Sequence, residues 1–243
     1  EVVQNAKENA LMILNADDVN IKSGYQKYTA GKNIHIYSYL NDELGSIKIK
    51  ERQFLANELC WQFSIDGFEK IKVFSLGEYI LGDVVACIII AKNFGLSAEQ
   101  IKKGIFNIKP VEHRLQPIKG QGDVLIIDDS YNSNPDGVEE AIKVLSKFGG
   151  RRKLFITPGI VETGDSVANI HEKIGQSLAK VADLVVLVKN SATPFIAKGL
   201  KDGRFSEEKI IWFETAQKAH DSLSDILKPN DVILFQSDWG DQY

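Results

Sequence analysis

Nowhere does this sequence stay apolar for the roughly 18 residues that a bilayer-crossing helix requires, so no membrane span is expected. Cysteine is scarce. Cys60 and Cys87 are the only two, each within an apolar segment and without C-x-x-C spacing. The expectation is two buried thiols in a reducing compartment, with no disulfide framework and no thiolate metal site. No long run of one charge sign occurs either. Twenty-nine Lys and Arg stand against 33 Asp and Glu, a net charge of −4, which offers nucleic acid no basic footprint. No phosphate loop of the form G-x-x-x-x-G-K-[ST] is present. The nearest stretch, Gly149-Gly150-Arg151-Arg152-Lys153, precedes a strand pattern instead of following one and reads as a turn with a solvated basic cluster. The first residues are not expected to be a secretory leader. Glu1 reads as a start inside a fold, so an upstream segment is expected.

What is there is an ordinary globular composition, 44% apolar and 26% charged, long enough for one large domain or two modest ones. The most informative stretch is residues 124–137, V-L-I-I-D-D-S-Y-N-S-N-P-D-G. Residues 124–127 have the length and β-branching of a buried strand. Asp128 and Asp129 follow at its tip, and Asn134-Pro135 supplies an N-cap and a first helical residue. Val138, Ala141, Ile142 and Leu145 then recur at helical spacing. In open parallel sheets that end of the strands is where ligands sit. The carboxylates suit a ribose hydroxyl or a cation; they equally suit capping of loop N–H groups. Tyr131, Asn132 and Asn134 can hydrogen-bond a polar small molecule.

The rest of the chain falls into two patterns. Residues 2–10 read as the end of a helix, and 11–14 as a short strand ending at Asn15, with Asp17 and Asp18 just beyond. Residues 34–38, 45–50, 58–65 and 70–76 are candidate strands. Ile47-Lys48-Ile49-Lys50 and Lys70-Ile71-Lys72-Val73 alternate as a half-exposed antiparallel sheet does, and Asp66-Gly67 signals a hairpin. A largely buried helix over 81–94 is closed by Gly95. Ser97-Ala98-Glu99-Gln100 is a capping box, with Ile101 and Ile105 facing inward. The boundary is placed at 110–112. Beyond it, a lead strand at 115–118 and apolar runs at 124–127, 154–156, 184–188, 210–213 and 232–235 alternate with helices. One spans 167–181 with Ile170, Ile174 and Leu178 inward. Another, capped by Thr215, carries Ala216, Ala219, Leu223 and Ile226. Such alternation predicts an α/β fold with a parallel sheet.

Asp128-Asp129-Ser130-Tyr131-Asn132-Ser133-Asn134-Pro135-Asp136-Gly137 resembles the motif that opens the C-terminal domain of the Mur ligases. Asn15-Ala16-Asp17-Asp18 resembles their central-domain N-A-D-D segment. Val111-Glu112-His113-Arg114-Leu115 resembles the H-R-L/F linker. Thr157-Pro158-Gly159-Ile160-Val161-Glu162-Thr163-Gly164 with Ile170-His171-Glu172 resembles M-x-E-L-G…H-E. The resemblance covers nearly the whole chain. It implies that 1–110 is the C-terminal half of the central ATP-binding domain. It implies that 111–243 is the C-terminal domain, Rossmann-like with a mainly parallel sheet.

The activity implied is ATP-dependent amide ligation in peptidoglycan precursor synthesis, in the cytoplasm. An amino acid or a dipeptide such as D-Ala-D-Ala joins a UDP-MurNAc-peptide through an acyl phosphate, with ATP and Mg²⁺ as cofactors. Most of their ligands are expected upstream, and the chain alone is expected to turn over no ATP. Residue by residue, the resemblance implies Asn15 near the adenine, Arg114 on the ATP phosphates and Asp128 on the ribose. It implies Tyr131, Asn132 and Asn134 around the incoming amine. His113 is read as a hinge spacer and His171 as a helix residue making a local hydrogen bond. Three stretches depart from the pattern; in the mildest, E-L-G becomes Glu162-Thr163-Gly164. The family's G-x-H-N-x-x-N is Gly77-Glu78-Tyr79-Ile80-Leu81-Gly82-Asp83 here. Its L-V-K-G-S-R is Leu234-Phe235-Gln236-Ser237-Asp238-Trp239 here, with Gln where a Lys would meet a carboxylate. A Mur-like ligase with a different amine acceptor and a non-catalytic nucleotide-binding module are therefore the alternatives.

Overall fold

The computed structural model describes residues 2–28, 31–40, 42–131, 133–161 and 163–237. The chain divides into two compact units, Glu1–Lys109 and Pro110–Tyr243. Among the described residues no helix is long and apolar enough to cross a membrane.

The first unit holds one sheet of five strands in chain order: β1 (Leu11–Asn15), β2 (Asn33–Ser38), β3 (Ile47–Leu55), β4 (Cys60–Ile65) and β5 (Phe68–Val73). β1, β2 and β3 run parallel, whereas β3, β4 and β5 are antiparallel. The third strand outruns the alternation that announced it, because its register shifts between Ile49 and Glu51. A bulge breaks the period-2 pattern there without ending the strand. The hairpin at Asp66-Gly67 forms, with Gly67 at φ +82 in a conformation side chains disfavour.

Among the described residues four α-helices accompany this sheet. α1 (Val2–Asn5) is shorter than the helix expected over 2–10, and Asn9 turns the chain at φ +62. α2 (Val19–Gly24) is capped by Asp18, which accepts the N–H groups of Asn20 and Ile21. α3 (Ile80–Asn93) buries Leu81, Val84, Val85 and Ile88 against the sheet. α4 (Ala98–Phe106) opens on the expected capping box, with Ser97 and Gln100 bonding reciprocally, and buries Ile101 and Ile105. Only one thiol is buried. Cys60 lies in the core, but Cys87 is exposed. At about 100° per residue, Cys87 shares the outer face of α3 with Asp83 and Ile90, both exposed.

The second unit is a six-stranded sheet in the order β10-β9-β8-β11-β7-β6. The strands are β6 (Gln116–Lys119), β7 (Leu125–Asp129), β8 (Lys153–Thr157), β9 (Leu184–Val188), β10 (Ile210–Phe213) and β11 (Val232–Gln236). All neighbours are parallel except the edge strand β6, which pairs antiparallel with β7. The helices are α5 (Pro135–Ser146), α6 (Val167–Leu178), α7 (Thr193–Asp202), α8 (Ala216–Asp221) and α9 (Leu223–Ile226). The helix expected from Thr215 onward is broken in two at Ser222. The Ser222 hydroxyl donates back to the Lys218 carbonyl, a local bond that competes with the helical ladder.

Two packing features fix this unit. Helices α6 and α7 approach so closely that a Cβ on Gly175 would stand 2.1 Å from the Ile196 carbonyl oxygen. One on Gly199 would stand 2.0 Å from that of Glu172. Secondly, the arginines of 149–153 are not a solvated cluster. Arg152 meets Asp231 through two bonds of 2.6 and 3.0 Å and donates to the Ile226 carbonyl. Arg151 donates to the carbonyls of Asp123, Asn230 and Asp231. A guanidinium fork satisfies several carbonyls at once, so this pair ties the amino ends of β7, β8 and β11 together.

Candidate functional site

The sheet register assembles the site. Phe235 pairs with Asp128 and Gln236 with Asp129, while Gln116 faces Asp128 from the antiparallel edge. Both aspartates therefore lie within β7, not beyond it. Alternation turns them to opposite faces: Asp128 is partly exposed and Asp129 is buried.

Asp128 is held in place. One oxygen accepts the Ser130 N–H at 3.0 Å, and the other lies 2.8 Å from His113 Nδ1. A carboxylate has no hydrogen to give, so the imidazole donates from Nδ1. His113 is thus more than a spacer: it orients Asp128. The carboxylate keeps lone-pair capacity for one more donor. The Arg114 guanidinium lies over the Tyr131 ring, 4.5 Å from its centroid. Tyr131 is half-exposed, and stacking on it gives the flexible Arg a defined plane.

The segment that delivers these groups is bent. His113 and Leu115 have φ of +59 and +46, a region that costs a non-glycine residue about 1–2 kcal/mol. Two bonds hold the bend, one backbone to backbone from the Tyr131 N–H to the His113 carbonyl, the other backbone to side chain from the Leu115 N–H to Asp129 Oδ1 at 3.1 Å. Burial pushes the Asp129 carboxyl up to about 7. The nearby Asp128 charge adds to that, against the Leu115 N–H and Arg114, which pull it down.

Asn134 caps α5: its Oδ1 accepts the Gly137 N–H at 2.8 Å. That leaves its NH₂ as the end a ligand can use. Asn134→Ala is expected to cost about 1 kcal/mol of stability, read as a lowered urea midpoint with unchanged slope. Gln236 is 1% exposed and accepts the Thr157 hydroxyl at 2.8 Å. His171, wholly buried, lies 2.7 Å from the Val167 carbonyl and accepts the Ile160 N–H, so its bonds are local and it pins the loop after β8. Asn132, Glu162, Asp238 and Trp239 lie outside the described residues.

Asn15 belongs to the first unit, where it ends β1 and accepts the Asp17 N–H at 3.0 Å. Asp17 in turn accepts from the Ser38 hydroxyl at 2.5 Å and the Tyr39 N–H at 2.8 Å. Burial, with the charges of Asp83 and Asp17, pushes the Tyr37 hydroxyl up to about 12. Glu78, in the first departing stretch, pairs with Arg52 at 2.6 Å. A groove of about 350 Å³ lined by Arg52, Gln62, Phe63 and Lys70, among others, also lies in this unit; no sequence-predicted site residue lines it. Among the described residues no three His, Cys, Asp or Glu side chains gather as a metal-binding group.

Sequence reasoning took His113 for a spacer and did not separate Asp129 from Asp128; Asp129 follows the N–H-capping reading, accepting from Leu115. The signal available was the lead strand itself: paired antiparallel with β7, it carries 113–115 back alongside 129–131.

A family profile described as Mur ligase, glutamate ligase domain, matches residues 113–238. The chain is 24% identical over 244 residues to the UDP-N-acetylmuramoyl-tripeptide–D-alanyl-D-alanine ligase of Bacillus subtilis (strain 168), covering 99% of this chain and 51% of that protein. Among solved structures, a MurF ligase from Thermotoga maritima in complex with ADP superposes with a TM-score of 0.77 at 22% identity, over 97% of this chain and 52% of that one. A MurF from Acinetobacter baumannii superposes with a TM-score of 0.79 at 23% identity, over 97% and 50%. The chain spans about half the length of the curated relatives it matches.

Proposed function

The chain belongs to the Mur ligase family, and from that premise we propose that it serves an ATP-dependent carbon–nitrogen ligase of cytoplasmic peptidoglycan precursor synthesis. In this reading residues 1–110 are part of the ATP-binding domain, and 111–243 bring the incoming amine. The substrates are a UDP-MurNAc-peptide, whose carboxylate is phosphorylated by ATP, and an amine such as D-alanyl-D-alanine, which displaces the phosphate to form an amide. The observation that carries the reading is the set at the carboxyl end of β7: Asp128 oriented by His113, beside Arg114 laid over Tyr131.

Each of these residues has a physical role in it. Arg114 presents a planar, permanently charged fork to phosphate oxygens, which Lys cannot match. Asp128 accepts a ribose hydroxyl on a lone pair not engaged by Ser130 or His113. Asn15 approaches the adenine. Tyr131 and Asn134, with Asn132, line the place of the amine, holding it against the acyl phosphate so that attack is intramolecular in effect. Magnesium offsets phosphate charge in such reactions, and the reading assigns no magnesium ligand to this chain.

A chimera joining the N-terminal half of the Bacillus subtilis relative to this chain provides the test. With UDP-MurNAc-tripeptide and ATP, D-alanyl-D-alanine should raise phosphate release. Arg114→Ala should cut that rate about 10- to 100-fold, the worth of one charge-assisted bidentate contact. The 243-residue chain alone should release none. Stimulation by a different amine, with none by D-alanyl-D-alanine, would favour the second reading, a Mur-like ligase with another acceptor. One observation supports that alternative: Gln236 occupies the place of the family's Lys and is buried against Thr157.

A further inference from the structure

Three facts converge on Asp129. The bent segment carrying Arg114 is flanked by two residues in the left-handed region, His113 and Leu115. A chain prefers to leave that region unless its surroundings hold it. The amide of Leu115, directly after Arg114, is held by a side chain, Asp129 Oδ1 at 3.1 Å. And Asp129 is itself immobile: its carbonyl accepts the Ser237 N–H at 3.1 Å, and its residue pairs with Gln236 of β11 in the middle of the sheet.

We propose that Asp129 is a positioning residue: its buried carboxylate grips the Leu115 N–H and so fixes Arg114 over Tyr131. The assignment of Arg114 to phosphate rests on the function proposed above; the grip itself does not. Asn in the same place would accept the same N–H without carrying a charge into a buried site, so a stability argument alone favours Asn. What the carboxylate adds is a stronger bond, since an ionised acceptor holds an N–H more tightly than a neutral one. The groups facing it are Arg114, which favours its charge, and Asp128, which opposes it. His113 and Tyr131 stand on the same tip, and β11 presents the neutral Gln236.

The consequence is a pair of opposed pH responses. The folded carboxyl is pushed up to about 7 from an ordinary 3.8. A raised carboxyl stabilises the fold fully below about pH 4, and that stabilisation is lost as pH rises through about 7. The grip on Leu115 strengthens over the same rise, because ionisation strengthens the bond.

The test is amide hydrogen exchange by NMR on the 243-residue chain between pH 5.5 and 8.5, corrected for intrinsic exchange, beside urea midpoints. In the wild type, Leu115 protection should increase about 5-fold while the urea midpoint falls. In Asp129→Asn both should be flat. In Asp129→Leu, Leu115 protection should drop at least ~10-fold and the Arg114–Tyr131 ring NOE should vanish, with β8 and β9 amides unchanged. Should Asp129→Leu not fold, the wild-type titration and Asp129→Asn suffice. Leu115 protection that is the same in the wild type and in Asp129→Asn at every pH overturns the proposal, as does protection unaltered by Asp129→Leu. ADP titration separates the two readings. If Arg114→Ala leaves ADP affinity unchanged while Leu115 responds as stated, the grip stands and the phosphate assignment fails.

Discussion

Gly175→Ala should cost the second unit most of its stability. The added methyl would stand 2.1 Å from the Ile196 carbonyl oxygen and 2.7 Å from the Leu200 nitrogen, and both are backbone atoms of α7 that no rotamer change can move. Helices α6 and α7 would have to separate. That separation would open the layer formed by Ile174, Leu178, Ile196 and Leu200, all buried. Overpacking of a close-packed core costs about 1–3 kcal/mol when side chains can adjust, and more when backbone must. We expect at least ~3 kcal/mol, or a fall in melting temperature of roughly 10 °C or more. Gly199→Ala should do the same from the other side, since its methyl would meet the Glu172 carbonyl at 2.0 Å. Differential scanning calorimetry checks both. A variant melting within 2–3 °C of the parent, roughly 1 kcal/mol, would mean that the helices do not meet as described.

Asp231→Ala should be comparably damaging by a different route. The Asp231 side chain is 3% exposed and accepts from Arg152 and from the Lys228 N–H. Its carboxylate pushes the Arg152 guanidinium further up. Removing it leaves Arg152 partly buried without its counter-charge, and one half of a buried ion pair typically costs 3–5 kcal/mol to strip. Asp231→Asn keeps a hydrogen-bond acceptor and should recover part of the loss. Because the Asp231 carboxylate is withdrawn from solvent, most of the effect should survive 1 M salt, where exposed pairs fade. Urea unfolding at low and high salt distinguishes the two. The i,i+4 pair of Lys198 and Asp202, half-exposed on α7 at 3.8 Å, is the control. Asp202→Ala, which leaves Lys198 its pair with Glu172, should barely move the urea midpoint.

Much of the fold was legible because its signals are local. The apolar runs that became β7, β8, β9, β10 and β11 are short, β-branched and bounded by polar turns. The Ser97–Gln100 box is a four-residue motif that needs no tertiary help. Where the reading fell short, a non-local force had intervened. The shift at Ile49–Glu51 extends β3 because β4 is there to pair with it. Arg151 and Arg152 look like surface charges until Asp123, Ile226 and the segment around Asp231 arrive from elsewhere in the chain. Cys87 sits in an apolar segment, yet the segment is a helix with one outward face.

The candidate site divides in the same way. Asp128 and Asn134 are visible from a single stretch, because strand, tip and capped helix are contiguous. Arg114 was found by resemblance, and its stacking on Tyr131 is a contact across 17 residues that no local pattern encodes. His113 could be matched to Asp128 only through the antiparallel register of β6 and β7. Asp129 looked equivalent to its neighbour. Only the alternation of a strand, combined with knowledge of which face is covered, separates an accessible carboxylate from an interior one.

The central position of β11 has its own consequence for how this polypeptide comes into being. As residues emerge during synthesis, β6 with β7 and β8 with β9 and β10 can each begin to pair, but nothing joins them. The strand that bridges β7 and β8 is the last of the six to be made. Until then each half presents an unmatched apolar border, a natural perch for a holding chaperone. Loss of even the final dozen described residues should therefore leave two disconnected ribbons, not a slightly shortened domain.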